Sequence, residues 1–138
     1  MEEHNECTIA HLSMIQGVIT RLETNSFTLK ALAMTLAAAV LAFMGSLKNP
    51  NWIYPLAGCL PVIVFWFMDA KYLRLGRLFR KLFDAVRNHE VKEPFTMNYS
   101  LFEKDVQHTL RIAFSWSILW FYLSIFIILL LVSFFLLK

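Results

Sequence analysis

Long uncharged stretches alternate with charged segments along this chain. Residues 31–47, between Lys30 and Lys48, carry no charge over 17 positions. Residues 49–68, between Lys48 and Asp69, are uncharged over 20, and residues 112–137, between Arg111 and Lys138, over 26. A charge at bilayer mid-depth is costly, and about 20 apolar residues carry a helix across the hydrocarbon core. The pattern predicts three spans: TM1 over 29–47, TM2 over 51–69, and TM3 inside a helix over 101–137. At about 1.5 Å per residue the third stretch reaches roughly 39 Å against a core of ~30 Å, an excess that tilt or an outlying first turn absorbs. The spans are helices, since no β-barrel closes with so few segments.

Helical periodicity continues outside the uncharged stretches. Leu12, Ile15, Ile19 and Leu22 recur in steps of three and four, and no proline precedes Pro50. A helix over 1–28 is therefore expected to run into TM1. Leu75, Phe79, Leu82 and Val86, with Leu78 and Phe83 beside them, give a helix over 70–90 one apolar face, while Arg74, Arg77 and Lys81 share another. Spans joined by a short loop are antiparallel, so the two extensions emerge side by side with their apolar faces together. The acidic leader (Glu2, Glu3, Glu6) is then placed to meet the basic helix. Pro94 makes 91–100 a loop. Ser100 and Glu103 stand at the spacing of a capping box, which predicts a helix from 101 reading through into TM3.

Composition agrees with a membrane protein. The chain is 58% hydrophobic and 17% charged, where a soluble domain is about 45–50% apolar with roughly a quarter of its residues charged. Its 138 residues give a single membrane domain, 1–138, of the all-α integral membrane class. Four Gly and four Pro exclude a linker-like or collagen-like chain. Cys7 lies in the polar leader and Cys59 in an apolar run, so no disulfide framework is expected. The leader is acidic and thirty residues precede the first uncharged stretch, unlike the short basic leader of a signal peptide.

Positive charge sets the orientation. Eleven Lys and Arg lie in the leader or between residues 69 and 111, against two, Lys48 and Lys138, on the other side. The N terminus and the middle segment are expected in the cytoplasm and the C terminus outside.

Catalysis has little support. His4, His11, His89 and His108 lack metal-ligand spacing, and no nucleophile elbow or glycine-rich phosphate loop occurs, so neither catalytic residues nor a metal or cofactor are expected. The basic residues Arg74, Arg77, Arg80, Lys81 and Arg87 admit three readings. They attract anionic lipid headgroups, they pair with the acidic leader, or they form a phosphate site for a nucleotide or oligonucleotide. In TM1 the small residues Ala31, Thr35, Ala38, Ala42 and Gly45 form a stripe that suits close helix contact, within one chain or between copies. Pro61 frees the Ala57 carbonyl and marks a kink, structural or gating. Ser117 and Ser124 stand seven apart in TM3, as pore-lining hydroxyls or as ordinary helix contacts. Asp69, at the edge of TM2, is expected to pair with Lys30 at similar depth.

Two stretches carry a resemblance. The first is His11-Leu12-Ser13-Met14-Ile15-Gln16-Gly17-Val18-Ile19-Thr20-Arg21, followed by Asn25-Ser26-Phe27 and Leu29-Lys30. The second is Phe65-Trp66, Asp69-Ala70-Lys71-Tyr72-Leu73-Arg74, Arg77-Leu78-Phe79-Arg80 and Val86-Arg87. Together they resemble small three-span bacterial membrane proteins that act as transmembrane effectors of anti-phage defence, of the Hailong type. That resemblance implies an oligomeric channel in the bacterial inner membrane, controlled by a nucleic-acid signal from a partner nucleotidyltransferase. It also gives weight to a polar spine of His11, Gln16, Arg21, Asn25, Ser26 and Asp69.

Two functions follow as expectations. One is a ligand-controlled, ion-conducting effector that depolarises the inner membrane, built from several copies (four as a working number) because three helices enclose no water path. The other is a non-conducting anchor whose cytoplasmic helices dock a soluble partner.

Overall fold

The computed structural model describes the backbone of residues 2–91 and 93–137 and the side chains of residues 5–91 and 93–136. Four α-helices follow in order: α1 (Glu2–Ser46), α2 (Ile53–Arg87), α3 (Thr109–Ala113) and α4 (Trp116–Leu137). A 3₁₀ turn, Ser100–Phe102, lies between α2 and α3, and no strand occurs among the described residues. Three helices among the described residues are long and apolar enough to cross a membrane, contributed by α1, α2 and α4.

The first two helices form an antiparallel hairpin. With 45 and 35 residues, they reach about 68 and 52 Å at 1.5 Å per residue, well beyond a ~30 Å hydrocarbon core. Each therefore carries an apolar half and a polar half in one unbroken rod, as the periodicity predicts. Pro61 does not interrupt α2, which is continuous from Ile53 to Arg87. Close approach of the rods is set by Gly58, where an added Cβ would stand 3.2 Å from Val40 Cγ2.

Two cores hold the molecule. In the apolar half, Ala33 and Ala37 of α1, Val62 and Ala70 of α2 and Ile118, Tyr122, Ile125 and Leu129 of α4 bury one face each. In the polar half, Ile15 and Ile19 lock against Phe79, Leu82 and Val86. This second core is the contact expected between the two extensions.

The connection to the third span departs from expectation. No helix runs continuously from 101. The Ser100 hydroxyl donates to Asn98 Oδ1 at 2.6 Å, and the Ser100 amide donates to the same oxygen at 3.1 Å, so the serine is held in a local turn instead of a capping box. Val106 is then buried against α2, which requires residues 103–108 to cross that helix before α3 begins.

A second break separates α3 from α4 at Phe114 and Ser115. The Ser115 amide donates to the Ile112 carbonyl, three residues back, at 2.9 Å. The Ala113 carbonyl accepts the Trp66 indole N–H at 2.9 Å. Edge contact of the Phe114 and Trp66 rings, 5.4 Å between centroids, supports the same corner.

Candidate basic groove and polar junction

The polar half of α2 turns one side toward the hydrophobic contacts just described and leaves its basic side on a groove walled by residues 105–107. Arg77, Arg80 and Lys81 line it from α2 with Asp84, and Asp105, Val106 and Gln107 close it, enclosing about 300 Å³. Three cations against two carboxylates leave the lining net positive. The volume falls in the range of small-ligand pockets.

The five basic candidates do not act as one cluster. Arg77 and Lys81 form no ion pair among the described residues, whereas Arg80 pairs with Glu23 of α1. Arg87 lies outside the groove, exposed, with its guanidinium 3.4 Å from Asp84 Oδ1. Arg74, one turn nearer the apolar half, faces a separate cleft of about 750 Å³ with residues 103–108, Leu110 and Arg111.

The side chains of the acidic leader are described only from Asn5 onward. Side chains of Glu2 and Glu3 lie outside the described residues, and Glu6 joins no ion pair among them. His11 lies beside Val86, near the end of α2, and Cys7 and Thr8 line the same recess with His89 and Val91. Glu23, deeper in the hairpin, meets Arg80 instead.

The polar spine divides in the same way. His11 is buried and its Nε2 donates to the Thr96 carbonyl at 2.8 Å, tying the 91–99 loop to α1. Ser26 donates to Asp69 Oδ1. Gln16, Arg21 and Asn25 are exposed on the other side of α1.

Asp69 is the deepest charge among the described residues, fully buried, and its expected pairing with Lys30 is present. Lys30 Nζ lies 2.5 Å from Oδ2, a contact of charges whose angles are not those of a directed hydrogen bond, and donates to the Ser26 hydroxyl at 3.0 Å. The Tyr122 hydroxyl of α4 donates to the Phe65 carbonyl at 3.4 Å and sits beside the same carboxylate. Side chains from α1, α2 and α4 thus meet at one polar junction where the apolar half begins. A buried carboxylate is tolerable only when so paired and hydrogen-bonded.

Most of the remaining candidates face outward. Ser117 and Ser124 are exposed, and Ser124 Oγ donates to the Phe121 carbonyl at 2.7 Å. Pro61 is half-buried. The small-residue stripe of Ala31, Thr35, Ala38, Ala42 and Gly45 is exposed along its whole length, while Ala33, Ala37 and Met44 on the opposite side of α1 are buried. Contact within the chain therefore does not account for the stripe.

Several contributors were missed from the sequence. Glu23, Thr96 and Tyr122 carry no periodic or motif signal, and Trp66 stood only in the quoted resemblance, since each is placed by contact between distant segments. Lys104 and Arg111 were counted only for orientation, although they line the second cleft with Arg74.

No family model, curated protein or solved structure matches this chain. The likeness to Hailong-type effectors therefore rests on the quoted residues alone.

Proposed function

We propose that this chain is a ligand-controlled, ion-conducting effector of bacterial anti-phage defence. Several copies assemble in the inner membrane with the N terminus cytoplasmic, and a phosphate-bearing signal, a nucleotide or oligonucleotide, binds the basic groove. The observation that carries the reading is the groove itself. Arg77 and Lys81, which join no ion pair among the described residues, stand beside Arg80 in a net-positive recess on the polar half of the molecule. Charge-assisted contacts from arginine suit phosphate oxygens, and pairing by Glu23 leaves part of the set free for them. Outward-facing Ser117 and Ser124, with the uncovered stripe on α1, suit assembly of copies around a shared path.

Membrane potential tests this. Cells expressing the native chain are compared by voltage-sensitive dye with cells expressing a version whose α4 is replaced by an unrelated apolar helix of equal length. A partner nucleotidyltransferase is present or absent in each. The native chain should depolarise in one of the two partner conditions and not in the other, and the α4-swapped chain in neither. Arg77→Gln with Lys81→Gln should weaken control about a hundredfold, since each of the two charge-assisted contacts is worth about 1.5 kcal/mol. Equal behaviour of the native and α4-swapped chains would instead favour the anchor reading, in which the core around Ile15 and Leu82 presents a platform to a soluble partner.

A further inference from the structure

The second cleft carries an inference that does not depend on conduction or on a soluble signal. Arg74 reaches it from α2, and Lys104, His108 and Arg111 reach it from the crossing segment and α3. Arg74 Nε is buried without a hydrogen-bond partner, and none of Arg74, Lys104 or Arg111 joins an ion pair among the described residues. Glu103 and Asp105 also line the space, so three cations face two carboxylates and the lining stays net positive. Arginine side chains on a net-positive lining suit phosphate oxygens, which accept charge-assisted hydrogen bonds from the guanidinium groups.

Depth and apolar surroundings narrow the source of that phosphate. Arg74 lies five residues beyond Asp69, where the uncharged stretch of α2 ends, and Arg111 immediately precedes the uncharged 112–137 stretch. Both guanidinium groups therefore stand at the edge of the apolar half. Leu110 lines the same cleft and is 63% exposed, and Phe114 next to it is 61% exposed. Trp116 and Trp120, their rings 5.2 Å apart, are exposed beyond them, as aromatic residues are at a membrane–water boundary. Basic donors with exposed apolar side chains on the membrane side match a headgroup with its acyl chains attached, whereas a free phosphate has no use for Leu110 and Phe114.

We propose that the cleft between Arg74 and the 103–111 segment binds the phosphate of one anionic phospholipid, whose acyl chains lie along Leu110 and Phe114. This is a discrete site, distinct from diffuse attraction between a basic helix and a charged membrane surface.

Native mass spectrometry of the full chain in neutral detergent tests it, with an equimolar mixture of phosphatidylglycerol and phosphatidylcholine as the probe. Phosphatidylglycerol should be retained about tenfold over phosphatidylcholine, because both offer the same phosphate and only the choline cation is repelled by the net-positive lining. Arg74→Gln should remove that preference, and so should Arg111→Gln, an exposed position that serves if the first variant fails to fold. Lys71→Gln, exposed and outside the cleft, should keep it. Equal retention of the two lipids overturns the proposal, as does an equal loss in Lys71→Gln, which would mean a diffuse basic surface. Displacement of phosphatidylglycerol by glycerol phosphate at matching concentration overturns it in favour of a free phosphate ligand.

Discussion

The α1–α2 hairpin and the α3–α4 arm reach the same apolar half by different physical routes. The hairpin is two uninterrupted rods in register over most of their length, sealed by Gly58 against Val40 in the apolar half and by Ile15 and Ile19 against Phe79 and Leu82 in the polar half. The arm is broken twice, crosses α2 through the buried Val106, and is held at its corner by the Trp66 indole on the Ala113 carbonyl. Side-chain contacts distributed along a face need no particular atom. A broken helix needs a particular donor for each carbonyl that its breaks release. Both basic recesses lie where these two designs meet, between the rigid α2 and the segment 103–111.

The junction that joins hairpin and arm should show the largest effect. Lys30→Met leaves the Asp69 carboxylate buried without its cation and should destabilise the chain by about 3 kcal/mol or more, with hairpin and arm loosening together. Lys30→Met combined with Asp69→Leu should recover most of that loss. Urea unfolding in detergent micelles measures both, and equal stability of the single and double variants would show that the pair does not join the two parts.

A cavity in the hairpin alone is next. Ile15→Ala removes a fully buried side chain from the polar-half core and should cost about 3 kcal/mol. Hydrogen exchange should rise in residues 5–25 and 75–87 while α4 stays protected. Increased exchange throughout α4 would mean that the two halves unfold as one unit.

The smallest effect belongs to the corner. Trp66→Phe keeps an aromatic ring but removes the donor to Ala113, for a loss of about 1 kcal/mol. Faster exchange should be confined to residues 109–118. No change there would show that ring contact with Phe114, and not the hydrogen bond, sets the break.

Much of the hairpin is legible in the sequence. Leu12, Ile15, Ile19 and Leu22 on one side and Phe79, Leu82 and Val86 on the other announce their contact by spacing, and Lys30 and Asp69 lie at the same depth by count alone. The arm was misread because Ser100 and Glu103 imitate a helix start, yet Asn98, two residues earlier, occupies the serine. No proline or glycine marks Phe114 and Ser115, because their break is stabilised by Trp66, 47 residues away from the carbonyl it caps.

Charge spacing and apolar run length are local quantities, and they determined the all-helical class, the three helices long and apolar enough to cross a membrane, the two long extensions and the candidate basic face of α2. Partner choice is a property of register. Which arginine pairs with Glu23, which carbonyl receives Trp66, and which side of α1 stays uncovered depend on how distant segments align, and only the tertiary structure decided them. Division of the basic residues into two recesses has the same origin. Arg74 and Arg77 are neighbours on one helix face, and the crossing of Val106 over α2 assigns them to different clefts.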